Sequence, residues 1–237
     1  MQRIYETPLR IELIGSRLFV NGKEQTRSTR KLSELKDVMM NDIDISEHGD
    51  LEMYYVFRDV FKTNGIRYDN TLIPDRRIAG ECAKTYGHCH PIAEKNLSYP
   101  EVYQVLIGRA VFILQTESSG MGVDVIIVDA KKGDVLLIPP NYCHVSINAG
   151  SENLLLGNVV ADEFESDYAV FKENRGAAYY YSENGELIHN TNYFIAKNKR
   201  ISANELNSMY NFKCNDILIE LYSNPKKFEF LKKPSLL

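Results

Sequence analysis

Gly87-His88-Cys89-His90, then Pro100-Glu101-Val102-Tyr103, then Pro139-Pro140-Asn141-Tyr142-Cys143-His144 are the segments from which the rest of the chain can be read. Only five histidines occur in 237 residues, and three of them fall in this window with a carboxylate between them. Three imidazoles and one carboxylate form a ligand set for a single borderline divalent ion. Fe, Ni, Mn or Zn would each suit such a set. One residue separates His88 from His90, so on a strand both rings face one side and Cys89 faces the other. Glu101 opens an alternating run that ends at Gly108, which puts Glu101 and Tyr103 on one face and Val102 and Gln104 on the other. His88, His90, Glu101 and His144 are therefore the candidate metal ligands.

Outward from this window the pattern is short strands with turn residues between them. Strands are predicted at Glu52–Arg58, Tyr68–Ile73, Cys82–His90, Val102–Leu106, Ala110–Gln115, Asp124–Asp129, Val135–Ile138, His144–Asn148 and Leu154–Val160. Asn64-Gly65, Gly120-Met121-Gly122, Lys132-Gly133-Asp134 and Asn148-Ala149-Gly150 punctuate them. Many short strands at even spacing indicate a β-sandwich or barrel. Upstream, Asn21-Gly22 signals a hairpin and Ser33 to Met40 reads as a short helix. Downstream, Glu183-Asn184-Gly185-Glu186 signals a last hairpin. Ser202-Ala-Asn-Glu205 is a capping box that opens a helix to about Phe212, and Asp216 caps another over Ile217–Tyr222. The expected organisation is an N-terminal extension (1–24), a β domain (25–190) and a helical C-terminal region (191–237).

Composition narrows the function classes. A net charge of −4 argues against a nucleic-acid partner, which would favour a basic face. Arg27, Arg30 and Lys31 read as a solvated surface cluster. No apolar run approaches the roughly 18 residues of a membrane span, and the first residues lack the apolar core of a secretory signal, so a soluble cytoplasmic protein is expected. In that reducing compartment Cys82, Cys89, Cys143 and Cys214 are expected as free thiols, with Cys89 and Cys143 as small packing residues. His48 and His189 are expected in solvent.

The two histidine blocks resemble the paired motifs of the cupin superfamily, which implies a jelly-roll β-barrel. Three departures stand out: Cys82 occupies the first glycine position, ten residues separate His90 from Glu101, and Asn141 replaces the second-block glycine. Asn is the non-glycine residue that best tolerates a left-handed turn. The long gap implies a loop over Pro91–Pro100 beside the metal.

A closer resemblance covers about residues 25 to 190. Lys84-Thr85-Tyr86-Gly87-His88-Cys89-His90, Pro100-Glu101-Val102-Tyr103 and the Val135–His144 segment resemble the cupin-type glucose-6-phosphate isomerases first known from archaea. This resemblance implies a homodimer that interconverts glucose 6-phosphate and fructose 6-phosphate. It also implies Glu101 as the proton-transferring group, with a metal-assisted hydride shift as the other route. Thr85, Gly87 and Thr71 are the implied phosphate contacts, and Tyr54, Tyr103 and Tyr168 the further substrate contacts. This chain has Ser166 where archaeal members carry His, and Val160 where they commonly carry Tyr. An iron dioxygenase and a non-catalytic sugar-sensing module are the alternatives. The first would line its pocket with apolar residues. The second would use the tail as a partner surface.

Overall fold

A computed structural model describes residues 1–117 and 122–237. The expected turn at Gly120-Met121 lies outside the described residues. Ten strands form the central sandwich. They are β1 (Ser28–Lys31), β2 (Glu52–Thr63), β3 (Ile66–Ile73), β4 (Glu101–Ile107), β5 (Arg109–Gln115), β6 (Val123–Lys131), β7 (Val135–Ile138), β8 (Cys143–Asn148), β9 (Leu154–Ala161) and β10 (Ile195–Ser202). One sheet runs β7-β4-β9-β3-β2-β1 with every neighbouring pair antiparallel; the other runs β8-β5-β6-β10. This is the cupin arrangement of two facing, mostly antiparallel sheets.

Strand alternation sets the layers. On β4, Tyr103 and Val105 join the core between the sheets, whereas Val102 and Leu106 join a second core on the far side of the six-stranded sheet. That second core is closed by the chain's two ends. The N-terminal meander contributes Ile11, Leu13 and Leu18, and the C-terminal region contributes Ile217, Leu218, Leu221 and Phe228. Asn21 and Gly22, at φ 50 and 79, turn the last hairpin of the meander, as the sequence signal predicts. Both C-terminal caps are present: Ser202 and Glu205 form the capping box of Ala203–Met209, and Asp216 accepts from Ile219 N at the start of Ile217–Ser223. Asn207 then covers a free sheet edge, accepting from Leu137 N (2.9 Å) and donating to Val135 O (2.7 Å).

The structure changes three expectations. First, the region after 191 also supplies β10, which pairs parallel with β6. Its sequence, Ile-Ala-Lys-Asn-Lys-Arg-Ile-Ser, is mostly polar because the strand lies exposed at the edge of its sheet, so it carries no buried alternation to read. Second, Cys82–His90 is not a continuous strand. Only Glu81–Cys82 is regular, and the rest runs along the free edge of β8 through isolated bridges, Lys84 to Ile147 and His88 to His144. Three residues lie between these bridges on one side and two on the other, so the segment carries a bulge. The Thr85 hydroxyl takes up the slack by accepting from Ser146 N at 3.1 Å.

Third, Cys89 and Cys143 form a disulfide, with Cα atoms 4.1 Å apart, while Cys82 and Cys214 are free. The cause is register. Because His88 pairs with His144 antiparallel, the next residue on one segment faces the preceding residue on the other, so both thiols meet on the side away from the histidines. Strand faces taken one at a time place each of them singly in packing, because they carry no information on which residues meet.

Candidate functional site

Each wall of the site comes from a different part of the chain. His144 sits near the start of β8, His88 and His90 on the bulged segment beside it, and Glu101 at the start of β4 on the opposite sheet. Their ligand atoms all lie within 4.8 Å of one another. Nε2 of His88 is 3.0 Å from Nε2 of His90. Glu101 Oε2 is 3.2 Å from Nε2 of His144, 3.5 Å from that of His90 and 4.0 Å from that of His88.

This group fits a metal ion. Glu101 Oε2 is buried and has no hydrogen-bond partner, so it faces three ring nitrogens with its own demand unmet. Donor atoms bonded at about 2.0–2.2 Å to one ion stand about 3.0–3.4 Å apart, which is near the spacings found here. The surrounding groups also orient the donors. His90 Nδ1 donates to Tyr99 O at 2.8 Å, leaving Nε2 as the acceptor that faces the cluster. Asn158 donates to Glu101 Oε1 at 2.7 Å, which turns the other oxygen inward. Asn141 adopts φ 68 in the turn before His144 and ties it to the Pro91–Pro100 hairpin through Ser98.

Burial, reinforced by the neighbouring rings, holds His88 well below the usual imidazole value, and burial brings His90 down to about 4 against the pull of Glu101. Burial also pushes Glu101 up, but the contact with His144, the neighbouring His90 ring and the charge of Arg67 outweigh it, and the net shift is downward. These imidazoles are therefore neutral near pH 7, the state in which they bind a metal. The shift also couples pH to stability. Between about pH 6.5 and 4 the unfolded chain takes up a proton that folded His90 refuses, so stability falls as pH drops through that window. The metal-free protein should therefore melt at a lower temperature at pH 5 than at pH 7, with a shallower difference in H90N. Equal slopes for both proteins would exclude His90 as the source.

Above this cluster opens a cavity of about 300 Å³. Tyr54, Thr71, Thr85, Gly87, Tyr103 and Tyr168 all line it, together with His88, His90 and Glu101. Ser146 N donates to Thr85 Oγ1, which leaves the hydroxyl proton of Thr85 free to donate. Gly87 adopts φ +83, and a Cβ there would meet the Phe171 ring at 2.9 Å, so only glycine fits between ring and pocket. Tyr54 OH accepts from Tyr86 N at 3.5 Å. Tyr103 OH lies 3.3 Å from His144 Nε2; burial and nearby Glu101 raise its pKa well above the usual value, so it keeps its proton. Val160 and Ser166 also line the cavity, so both departures from the archaeal pattern fall on its wall.

Sequence reading missed several lining residues. Arg30, expected in solvent, lines the cavity with its guanidinium 5.7 Å from the Tyr168 ring centre. It lies on β1 opposite Tyr54, a pairing that a short charge run cannot announce. Arg58, Arg67, Asp69 and Asn158 line it too. They sit on β2, β3 and β9, and only the alternation of those strands, once their inner face is known, could have found them. His48 and His189 are exposed, as expected.

A two-sheet sandwich that gathers three histidines and a glutamate at the base of a polar cavity is a cupin. The chain belongs to the glucose-6-phosphate isomerase family: the family model described as Glucose-6-phosphate isomerase (GPI) matches residues 29–197. Similar curated proteins include the glucose-6-phosphate isomerase of Thermococcus litoralis, 23% identical over 190 residues, covering 78% of this chain and 94% of that one. The glucose-6-phosphate isomerase of Pyrococcus furiosus is 23% identical over 189 residues, covering 78% and 95%. Among solved structures, a cupin 2 conserved barrel domain protein from Rhodopseudomonas palustris is 12% identical, covers 65% of this chain and 81% of its own, and has a TM-score of 0.38. No helix among the described residues is long and apolar enough to cross a membrane.

Proposed function

We propose that this protein interconverts glucose 6-phosphate and fructose 6-phosphate at a single divalent metal held by His88, His90, Glu101 and His144, with Fe(II) the expected ion. The observation that carries this reading is the orphaned, buried Glu101 Oε2, which faces three imidazoles at the base of a cavity lined by hydroxyl donors. An oxygenase pocket would be apolar, whereas this one carries three arginines and the hydroxyls of Thr71, Thr85 and Tyr54.

The isomerisation moves hydrogen between C1 and C2 of the open-chain sugar. The bound metal would supply Lewis-acid stabilisation of the charge that develops on the two sugar oxygens. The chain's own residues do the rest. Asn158 fixes the Glu101 carboxylate in one orientation, from which it transfers the proton between the two carbons on one face. Protonated Tyr103 stands beside it as a neutral donor to a sugar oxygen. Thr85, Thr71 and the Gly87 amide contact the phosphate.

The test is turnover of fructose 6-phosphate by the iron-loaded protein. Formation of glucose 6-phosphate is expected; activity confined to a non-phosphorylated aldose or an unrelated substrate would overturn the reading. Thr85→Ala removes a donor to a group that stays charged throughout, so KM should rise about tenfold with little change in kcat. An unchanged KM would remove Thr85 from the phosphate site.

A further inference from the structure

The donors assigned to the phosphate are neutral, yet a phosphate monoester carries about −1.5 to −2 charges at pH 7. Three arginines line the cavity, and two of them already have a carboxylate partner. Arg30 Nη1 lies 3.1 Å from Glu34 Oε1, and Arg67 Nε lies 2.9 Å from Asp69 Oδ2. Arg58 differs. Among the described residues it has no ion-pair partner, and its Nη1 donates to the neutral Ser28 Oγ at 2.9 Å.

Its position follows from a bulge. The register of β2 against β3 breaks between Phe57 and Phe61, Asp59 takes φ 58, and Asp59 N donates to Asp69 Oδ1 at 2.8 Å. A bulge of this kind re-aims the side chains beside it. Ser28 on β1 and Thr71 on β3 both stand opposite Val56. The hydrogen bond to Ser28 therefore holds the guanidinium level with the row that carries Thr71, across β2 from it on the wall of the same cavity.

We propose that Arg58, steered by Ser28, is the cationic subsite for the substrate's phosphate ester and the means by which this chain selects phosphorylated over free hexoses. This rests on reading the cavity as a sugar-phosphate site. A planar guanidinium matches phosphate oxygens in two parallel hydrogen bonds, which an ammonium cannot do.

The test is calorimetric titration of metal-loaded wild type, R58Q, R58K and S28A with inorganic phosphate and with glucose 6-phosphate, beside steady-state kinetics. Wild type should bind both ligands. R58Q should bind both more weakly and raise KM about 10- to 100-fold, with kcat changed less than about threefold. R58K should recover part of the loss, and S28A should show a smaller one. Arg58 is exposed, so the melting temperature should not move. The proposal is overturned if R58Q binds both ligands like wild type, if its loss falls on kcat alone, or if wild type binds neither. Arg58-dependent binding of glucose 6-phosphate without turnover would sustain the subsite and remove the isomerase reading instead.

Discussion

Replacing Glu101 by Gln is expected to lower kcat by about 10²- to 10⁴-fold, the usual range for losing a positioned acid–base group, while KM changes far less. In the proposed isomerisation the carboxylate would serve the transition state more than the bound sugar, so its loss should appear in the chemical step. The structure gives the reason for so large an effect. One oxygen is fixed by Asn158 at 2.7 Å, and the other is the orphan turned to the imidazoles. In the variant an amide that keeps its hydrogen bond to Asn158 would present N–H groups to the ring nitrogens, where a metal needs an anion. Elemental analysis beside the kinetics separates loss of the ion from loss of the base. A variant with kcat within tenfold of wild type would show that Glu101 holds neither role.

The second large effect belongs to H88A/H90A. These residues are two of the four candidate donors, and both come from one segment, so the double substitution empties a whole side of the cluster. Metal content after dialysis should drop below about a tenth of wild type, and isomerase activity should fall with it. The neighbouring disulfide ties the two segments together on the opposite side, and the cores do not involve either ring, so the fold should persist in circular dichroism. Full metal occupancy in the double variant would end the four-residue assignment.

The four candidate ligands were legible because spacing constrains them twice. His88 and His90 share a face by strand period, and Asn141 before His144 carries the turn preference that its φ of 68 requires. Most strands of the sandwich were legible as short runs rich in apolar and β-branched residues between turn signals, and several, such as β4 and β9, are buried on both faces. β10 escaped because its residues face solvent at a sheet edge. Arg30 escaped because a short charge run looks the same in solvent as at the mouth of a pocket.

By itself, then, the sequence determined the β-rich body, the capped helices of the tail and the residue types that can hold an ion, since each depends on local periodicity, cap chemistry or spacing. Tertiary structure alone decided which residues meet. It paired Cys89 with Cys143 through the His88–His144 register, laid both chain ends on the outer face of the six-stranded sheet, and turned Arg30, Arg58 and Arg67 into one cavity. Contacts of that kind join strands distant in the chain, and their register is set by the packing of whole sheets, which no short stretch of sequence encodes.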